Sequence, residues 1–256
     1  MRFLFLLKNQ IVKTKQQTRA VLNPSQIKRL STVLRLREGD NTFVRILPDG
    51  RLFNALIVCL GKSKGELVLF PDEVSTDIKR YFPSCKLSIG LSVIKKKNFE
   101  LVIQKASELG VSTITPLTAQ RSDSHILRSP AGFSKRFSDI AQEACMQSGR
   151  PVPIKIADFQ APLVFVEKAI QSGDEVIVLH EGDLDSKAIS GKDFSNFVSS
   201  KNSTSSVSVL IGPEGGFTSE EIALFQKAGA KIKRLHGFIL RAETAAIMIA
   251  SIFSIS

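Results

Sequence analysis

The sequence has no tryptophan, one tyrosine (Tyr81), three cysteines and three histidines among its 256 residues. Each scarcity closes off a kind of chemistry. With no tryptophan and a single tyrosine, broad stacking along a single-stranded nucleic acid is disfavoured relative to phosphate contact. Cys59, Cys85 and Cys145 are odd in number, far apart and without a CxxC pair, which argues against a disulfide framework and a zinc site. They are expected to be free buried thiols. His125, His180 and His236 are isolated and no HExxH pattern occurs, so no metal centre is expected. Long apolar runs are missing as well. Nothing approaches the roughly 18 residues of a membrane span. The opening run Phe3–Leu7 ends at Lys8, too short for a signal-peptide core. A cytoplasmic protein without membrane contact is expected.

Two nucleotide-binding fingerprints are also absent. GxxxxGK[ST] does not occur, and no two glycines are separated by a single residue, which removes GxGxxG. The remaining composition, 43% hydrophobic and 23% charged, is that of an ordinary globular protein of one or two domains.

Positive charge is abundant and uneven. The formal net charge is +11, and residues 1–80 carry 15 Lys and Arg against 7 Asp and Glu. A compact basic module beside a nearly neutral larger one suits a polyanion-binding domain joined to a catalytic domain. The excess clusters at Lys28, Arg29, Arg35 and Arg37.

The texture of the chain supports that division. Phe3–Leu7, Thr42–Ile46, Arg51–Cys59 and Glu66–Phe70 read as short strands separated by turn signals such as Pro48-Asp49-Gly50. A single helix is expected over Pro24–Leu34, capped by Asn23 or Ser25. This is the pattern of a small β-barrel over residues 1–75, with a polar linker over Pro71–Pro83. From Lys86 strands alternate with helices: strands over Leu87–Ile94, Ser112–Leu117, Glu175–His180, Ser206–Ile211 and Lys231–Leu235, and helices over Phe99–Leu109 and Ser134–Gln147. Residues 76–256 therefore predict an α/β domain with a mainly parallel sheet.

Chemistry concentrates where strands end. In the segment 207–222 a buried-type strand runs into Gly212-Pro213-Glu214-Gly215-Gly216, and Thr218 with Glu221 forms a capping box for the next helix. Glycines there let backbone approach a ligand, and parallel sheets bind ligands at the carboxyl ends of their strands. Glu214 disfavours a phosphate and suits a ligand with a nucleoside and a positive centre, such as S-adenosylmethionine. A tight turn without a ligand is the plainer alternative. A second segment, 235–251, passes through Phe238-Ile239-Leu240 into Arg241-Ala242-Glu243-Thr244 and a small-residue helix; a local ion pair at a helix end and a functional role are equally compatible with Arg241 and Glu243. In a third, 142–156, Arg150 follows Gly149 at a helix stop, where it caps carbonyls or reaches RNA phosphate.

These motifs together resemble the SPOUT superfamily of trefoil-knot methyltransferases and, within it, the bacterial RsmE-type family, which methylates N3 of a uridine in 16S ribosomal RNA. The segments at 33–40, 103–122, 142–150, 210–221 and 239–246 are similar to five family signatures in the same order, spanning nearly the whole chain. The resemblance implies an α/β SPOUT domain behind a PUA-like β-barrel, a homodimer, small-subunit ribosomal RNA as partner and S-adenosyl-L-methionine as cofactor. The cofactor pocket it implies comprises Leu179, His180, Glu181, Gly212, Pro213, Glu214, Gly215, Gly216, Leu235, Gly237, Ile239, Leu240 and Ala245. Arg241 and Glu243 become the catalytic candidates, and Arg2, Lys28, Arg29, Arg35, Arg37, Arg121 and Arg150 the RNA contacts. The chain departs from the family pattern at Lys28-Arg29, His236 and Phe238. Two other readings fit less of the sequence: a SPOUT ribose 2′-O-methyltransferase, and a non-catalytic RNA-binding or ribosome-assembly protein.

Overall fold

The computed structural model describes residues 3–14, 16–73, 85–123, 130–181, 206–235 and 238–254. The chain forms two compact units: residues 1–81 with 145–152, and residues 82–144 with 153–256.

The first unit is a curled six-stranded sheet. Its strands are β1 (Phe3–Leu7), β2 (Ile11–Lys13), β3 (Thr18–Val21), β4 (Asn41–Leu47), β5 (Arg51–Leu60) and β6 (Gly65–Glu73), in the order β1-β4-β5-β6-β3-β2. Only β1 and β4 run parallel; the remaining neighbours are antiparallel. Register shifts in the β5–β6 pair interrupt the ladder, and irregularities of this kind bend a sheet. Leu4, Leu6, Val44, Ile46, Ala55, Ile57 and Leu67 fill the interior at 6% exposure or less. The helix lies where the sequence predicts. Asn23 accepts from the Gln26 amide at 2.9 Å while the Gln26 side chain accepts from the Asn23 amide at 2.8 Å, and Pro24 occupies the first turn of α1 (Pro24–Lys28). The helix then widens into a π-helical turn over Arg29–Val33. Two differences from the sequence reading stand out. Strands β2 and β3 were not anticipated, and β6 continues through Glu73 into the segment read as linker.

The second unit is the α/β layer structure expected. Its sheet comprises β7 (Lys86–Ser92), β8 (Thr113–Leu117), β9 (Lys155–Ile156), β10 (Glu175–Leu179), β11 (Ser206–Ile211) and β12 (Lys231–Lys233), in the order β12-β10-β11-β7-β8-β9. Every pair is parallel. Alternate side chains bury on opposite faces, the period-2 rule of a sheet covered on both sides. On one face Ile177, Val207, Val209 and Ile211 meet α2 (Lys96–Glu108), α3 (Pro130–Ser148) and α6 (Ala242–Ser254). On the other, Val176, Val178 and Leu210 meet α4 (Pro162–Gln171) and α5 (Ser219–Lys227). Gly90 in β7 is set by close approach: a Cβ there would lie 2.9 Å from Leu117 Cδ1 and 3.0 Å from the Phe165 ring. No helix among the described residues is long and apolar enough to cross a membrane. Cys85 and Cys145 are buried and not joined in a disulfide, whereas Cys59 is only half-buried.

Candidate functional site

The parallel sheet dictates where a site forms. Strand ends β10, β11 and β12 lie side by side, so the segments that leave them converge at one carboxyl edge. They enclose a cavity of about 440 Å³ within the second unit, in the size range of a small-ligand site.

Each wall has a local cause. Behind β11 the chain makes a turn closed by the Gly216 amide donating to the Pro213 carbonyl at 2.9 Å. Gly216 sits at φ +67°, a left-handed conformation that side-chain-bearing residues rarely take. The turn is then tied down at two points. The Thr218 amide donates to Glu221 Oε2 at 2.9 Å, and the Glu221 amide to Thr218 Oγ1 at 3.2 Å, which completes the capping box of α5. Glu221 Oε1 in turn accepts from the Gln120 amide at 3.1 Å, and Arg121 donates through Nη1 to the Gly215 carbonyl at 2.7 Å. The loop after β8 thereby buttresses the loop after β11. Behind β10, the His180 amide donates to the Lys233 carbonyl at 3.0 Å, holding Leu179, His180 and Glu181 along the cavity wall.

The third wall is the segment entering α6. Leu235, Ala242 and Ala245 are buried, Leu240 is half-buried, and Phe238 and Ile239 are exposed. Glu243, in the first turn of α6, accepts from Asn98 Nδ2 at 3.1 Å through Oε1. Its second oxygen, Oε2, is buried and has no hydrogen-bond partner among the described residues. A buried carboxylate oxygen left without a donor is costly, so a site that retains one has an acceptor to offer an incoming N–H group.

The wall that sequence reasoning missed is the start of α2. Lys95 and Asn98 line the cavity, and the Lys95 amide approaches Glu214 Oε1 at 3.5 Å. Phe217 and Arg234 also line it without having been anticipated. Three carboxylates (Glu181, Glu214, Glu243) and three cations (Lys95, Arg234, Arg241) surround an apolar floor containing Leu179, Ile211, Leu235 and Leu240.

The family model of the RNA methyltransferase domain matches residues 81–254. The chain belongs to this RNA methyltransferase family. A curated relative, ribosomal RNA small subunit methyltransferase E 2 of Borreliella burgdorferi, is 30% identical over 219 residues, covering 85% of this chain and 83% of its own. Ribosomal RNA small subunit methyltransferase E of Bacillus subtilis is 29% identical over 246 residues, with 94% and 93% covered. Among solved structures, a methyltransferase of Legionella pneumophila in complex with S-adenosylmethionine superposes with a TM-score of 0.78 at 26% identity, covering 99% of this chain and 97% of that one. The Neisseria gonorrhoeae small-subunit methyltransferase E shares the fold at a TM-score of 0.77 and 21% identity, with 98% and 95% covered.

In this RNA methyltransferase the anticipated pocket residues converge. Leu179, His180, Glu181, Gly212, Pro213, Glu214, Gly216, Leu235, Ile239, Leu240 and Ala245 all line the one cavity, together with Arg241 and Glu243. Gly215 does not line it and instead meets Arg121. Gly237, His236 and Arg2 lie outside the described residues. The basic candidates behave differently from one another. Lys28, Arg35 and Arg37 are exposed on the first unit, and Arg29 is half-buried there. Arg121 is exposed but engaged with the Gly215 carbonyl. Arg150 departs from its expected place at an RNA-facing surface: only 7% of it is exposed, and burial pushes its guanidinium down to about 10, with Cys145 opposing. A side chain so enclosed does not present its charge to a phosphate.

Proposed function

We propose that this chain transfers a methyl group from S-adenosyl-L-methionine to N3 of a uridine in 16S ribosomal RNA of the small subunit, acting as a homodimer in the cytoplasm. The observation that carries the reading is the cavity at the β10–β12 strand ends, with Glu243 Oε2 left as a buried acceptor. The curated relatives' names support the RNA class, and the ligand named for the Legionella methyltransferase supports the donor.

The lining suits such a donor. Leu179, Leu235 and Leu240 supply an apolar bed for an adenine ring, and Glu181 and Glu214 lie at the same cavity for a positive centre. The backbone around Gly212 and Gly216 leaves room for close approach. When bound, the donor supplies an electrophilic methyl carbon; the chain's residues do the rest. Arg241, exposed at the cavity mouth, favours the negative charge that develops on a uracil carbonyl as N3 gives its proton to solvent water, in the manner of an oxyanion hole. Asn98 holds Glu243 by one oxygen, so the other is pre-set as an acceptor rather than free to rotate away. Orientation of the base against the methyl contributes the remaining acceleration.

The test is incubation of the protein, labelled donor and undermodified small ribosomal subunits, followed by mapping of the labelled nucleoside. Label at N3 of a uridine in 16S RNA is the expected result. Label on a ribose 2′-oxygen, or donor binding without transfer, overturns the assignment; light scattering reads the oligomeric state in the same preparation.

A further inference from the structure

The glycine turn behind β11 is held from outside the cavity. Gly212, Pro213, Glu214 and Gly216 line the cavity, and Gly215 does not. A trans peptide is planar, so a carbonyl and the N–H that follows it point in opposite directions. In the peptide between Gly215 and Gly216 both ends are taken. The Gly216 amide donates to the Pro213 carbonyl at 2.9 Å, and the Gly215 carbonyl accepts from Arg121 Nη1 at 2.7 Å. Neither glycine has a Cβ to resist rotation of that unit, and turning it would displace Glu214 and Gly216 at the cavity wall. The Arg121 stem packs as closely: a Cβ on Gly215 would lie 3.2 Å from its Cδ and 3.4 Å from its Cβ. Arg121 itself stands on a fixed base. The Ser122 amide donates to the Ala119 carbonyl at 3.0 Å and the Asp123 amide to the Val93 carbonyl at 2.9 Å, while the Gln120 amide is bound to Glu221.

We propose that Arg121 is a positioning residue for the methyl donor: by fixing the Gly215–Gly216 peptide it keeps the turn in the shape that binds the donor. The inference rests on the reading of this cavity as the donor site. Arg121 is not among the residues lining the cavity, so it acts through the turn and not by touching the ligand. The resemblance makes the same side chain a candidate RNA contact, and it is exposed. A guanidinium bonded to the turn's carbonyl and packed along its glycine is nonetheless committed to the loop. Without it the peptide samples orientations that do not fit the ligand, and binding is reduced by the fraction of turns that do fit. The loss therefore falls on methyl-donor affinity. Once the methyl donor is saturating the turn is in place, so KM suffers more than kcat.

Wild type is compared with Arg121→Met, Arg121→Lys, Gly215→Ala and the double variant Arg121→Met/Gly215→Ala, all full-length. Methionine keeps an unbranched stem against Gly215 without an N–H, and lysine keeps an N–H. Gly215 lies outside the left-handed region, so alanine there disturbs the contact and not the backbone. Affinity for S-adenosylmethionine is measured by calorimetry well below the unfolding midpoint, where a mere loss of stability does not move it. Steady-state kinetics separates KM from kcat, and affinity for undermodified small subunits is measured without methyl donor. Arg121→Met should weaken methyl-donor binding roughly 2- to 12-fold, the worth of one hydrogen bond, and raise its KM by more than it lowers kcat. Arg121→Lys should fall between Arg121→Met and wild type. The double variant should bind no more weakly than the weaker single one, because both changes break the same contact. Additive losses overturn the proposal. So does a fall in RNA affinity with methyl-donor affinity intact, which would make Arg121 an RNA contact. A wild-type protein that fails to bind S-adenosylmethionine overturns the reading of the cavity itself; a wild type that binds it and is matched by Arg121→Met overturns only the positioning role.

Discussion

Arg241 and Glu243 are neighbours in sequence but differ in what holds them. Glu243 is anchored by Asn98 at 3.1 Å, whereas Arg241 is exposed at the cavity rim. Its charge is therefore available to a substrate group, and its removal should spare the cavity. Arg241→Ala is expected to lower turnover at least tenfold, with donor affinity nearly intact. A tenfold loss corresponds to about 1.4 kcal/mol of transition-state stabilisation, modest for a charged donor to a developing oxyanion. Steady-state kinetics with parallel calorimetry checks it, and unchanged turnover removes Arg241 from the mechanism.

The thiols give a second test at the level of single residues. Burial pushes the Cys145 thiol up to about 12, with Arg150 and Arg45 pulling the other way. The native state thus favours the protonated thiol. That contribution to stability is complete below the ordinary thiol value of 9.0 and disappears as pH rises from there toward about 12. Urea unfolding across that interval should show a shallower loss of stability for Cys145→Ser than for wild type. At neutral pH, iodoacetamide should label half-buried Cys59 before Cys85 or Cys145. Arg150, whose backbone carbonyl accepts from the Cys145 thiol at 3.1 Å, shows the limit of reading charge from sequence. An arginine after a helix stop looks like a surface residue, and only its tertiary neighbours reveal that it is enclosed.

At the level of elements, what the sequence announces is what is local. The glycine turn, the Thr218–Glu221 capping box and the period-2 strands β10 and β11 are each written within a few consecutive residues. The start of α2 carries no such mark. Asn98 acquires its meaning from Glu243, which lies 145 positions along the chain, and no pattern in either segment points to the other. Strands β2 and β3 escape notice for a different reason: of their residues only Ala20 is buried, so alternation leaves almost no trace. Glu221 combines both kinds of information. Its capping role is local, but its bond to the Gln120 amide joins two loops that the sequence shows separately. Thr218→Ala removes one cap hydrogen bond and should cost about 1 kcal/mol. Glu221→Ala removes two bonds to backbone amides, one of them the buried Thr218 donor and the other the part-buried Gln120 donor, and should cost more, about 1–3 kcal/mol. Glu221→Ala should also weaken donor binding more than Thr218→Ala does. Thermal unfolding and calorimetry on the two variants check the order; equal effects would mean that the Gln120 contact does not support the cavity.

For the whole molecule, the division of charge follows the division of structure. Most of the net +11 lies in the first 80 residues, which make up most of the unit that does not contain the cavity. If that unit grips RNA through phosphates, binding must release counterions. The logarithm of affinity should then fall linearly with the logarithm of salt, by about 0.7 to 0.9 for each phosphate neutralised. Lys28, Arg35 and Arg37 are exposed there, so replacing all three with alanine should flatten the slope by up to about 2 to 3 and leave calorimetric donor affinity unchanged. A wild-type affinity indifferent to salt would mean that the basic surface serves solubility, and the RNA would have to be held at the cavity rim alone.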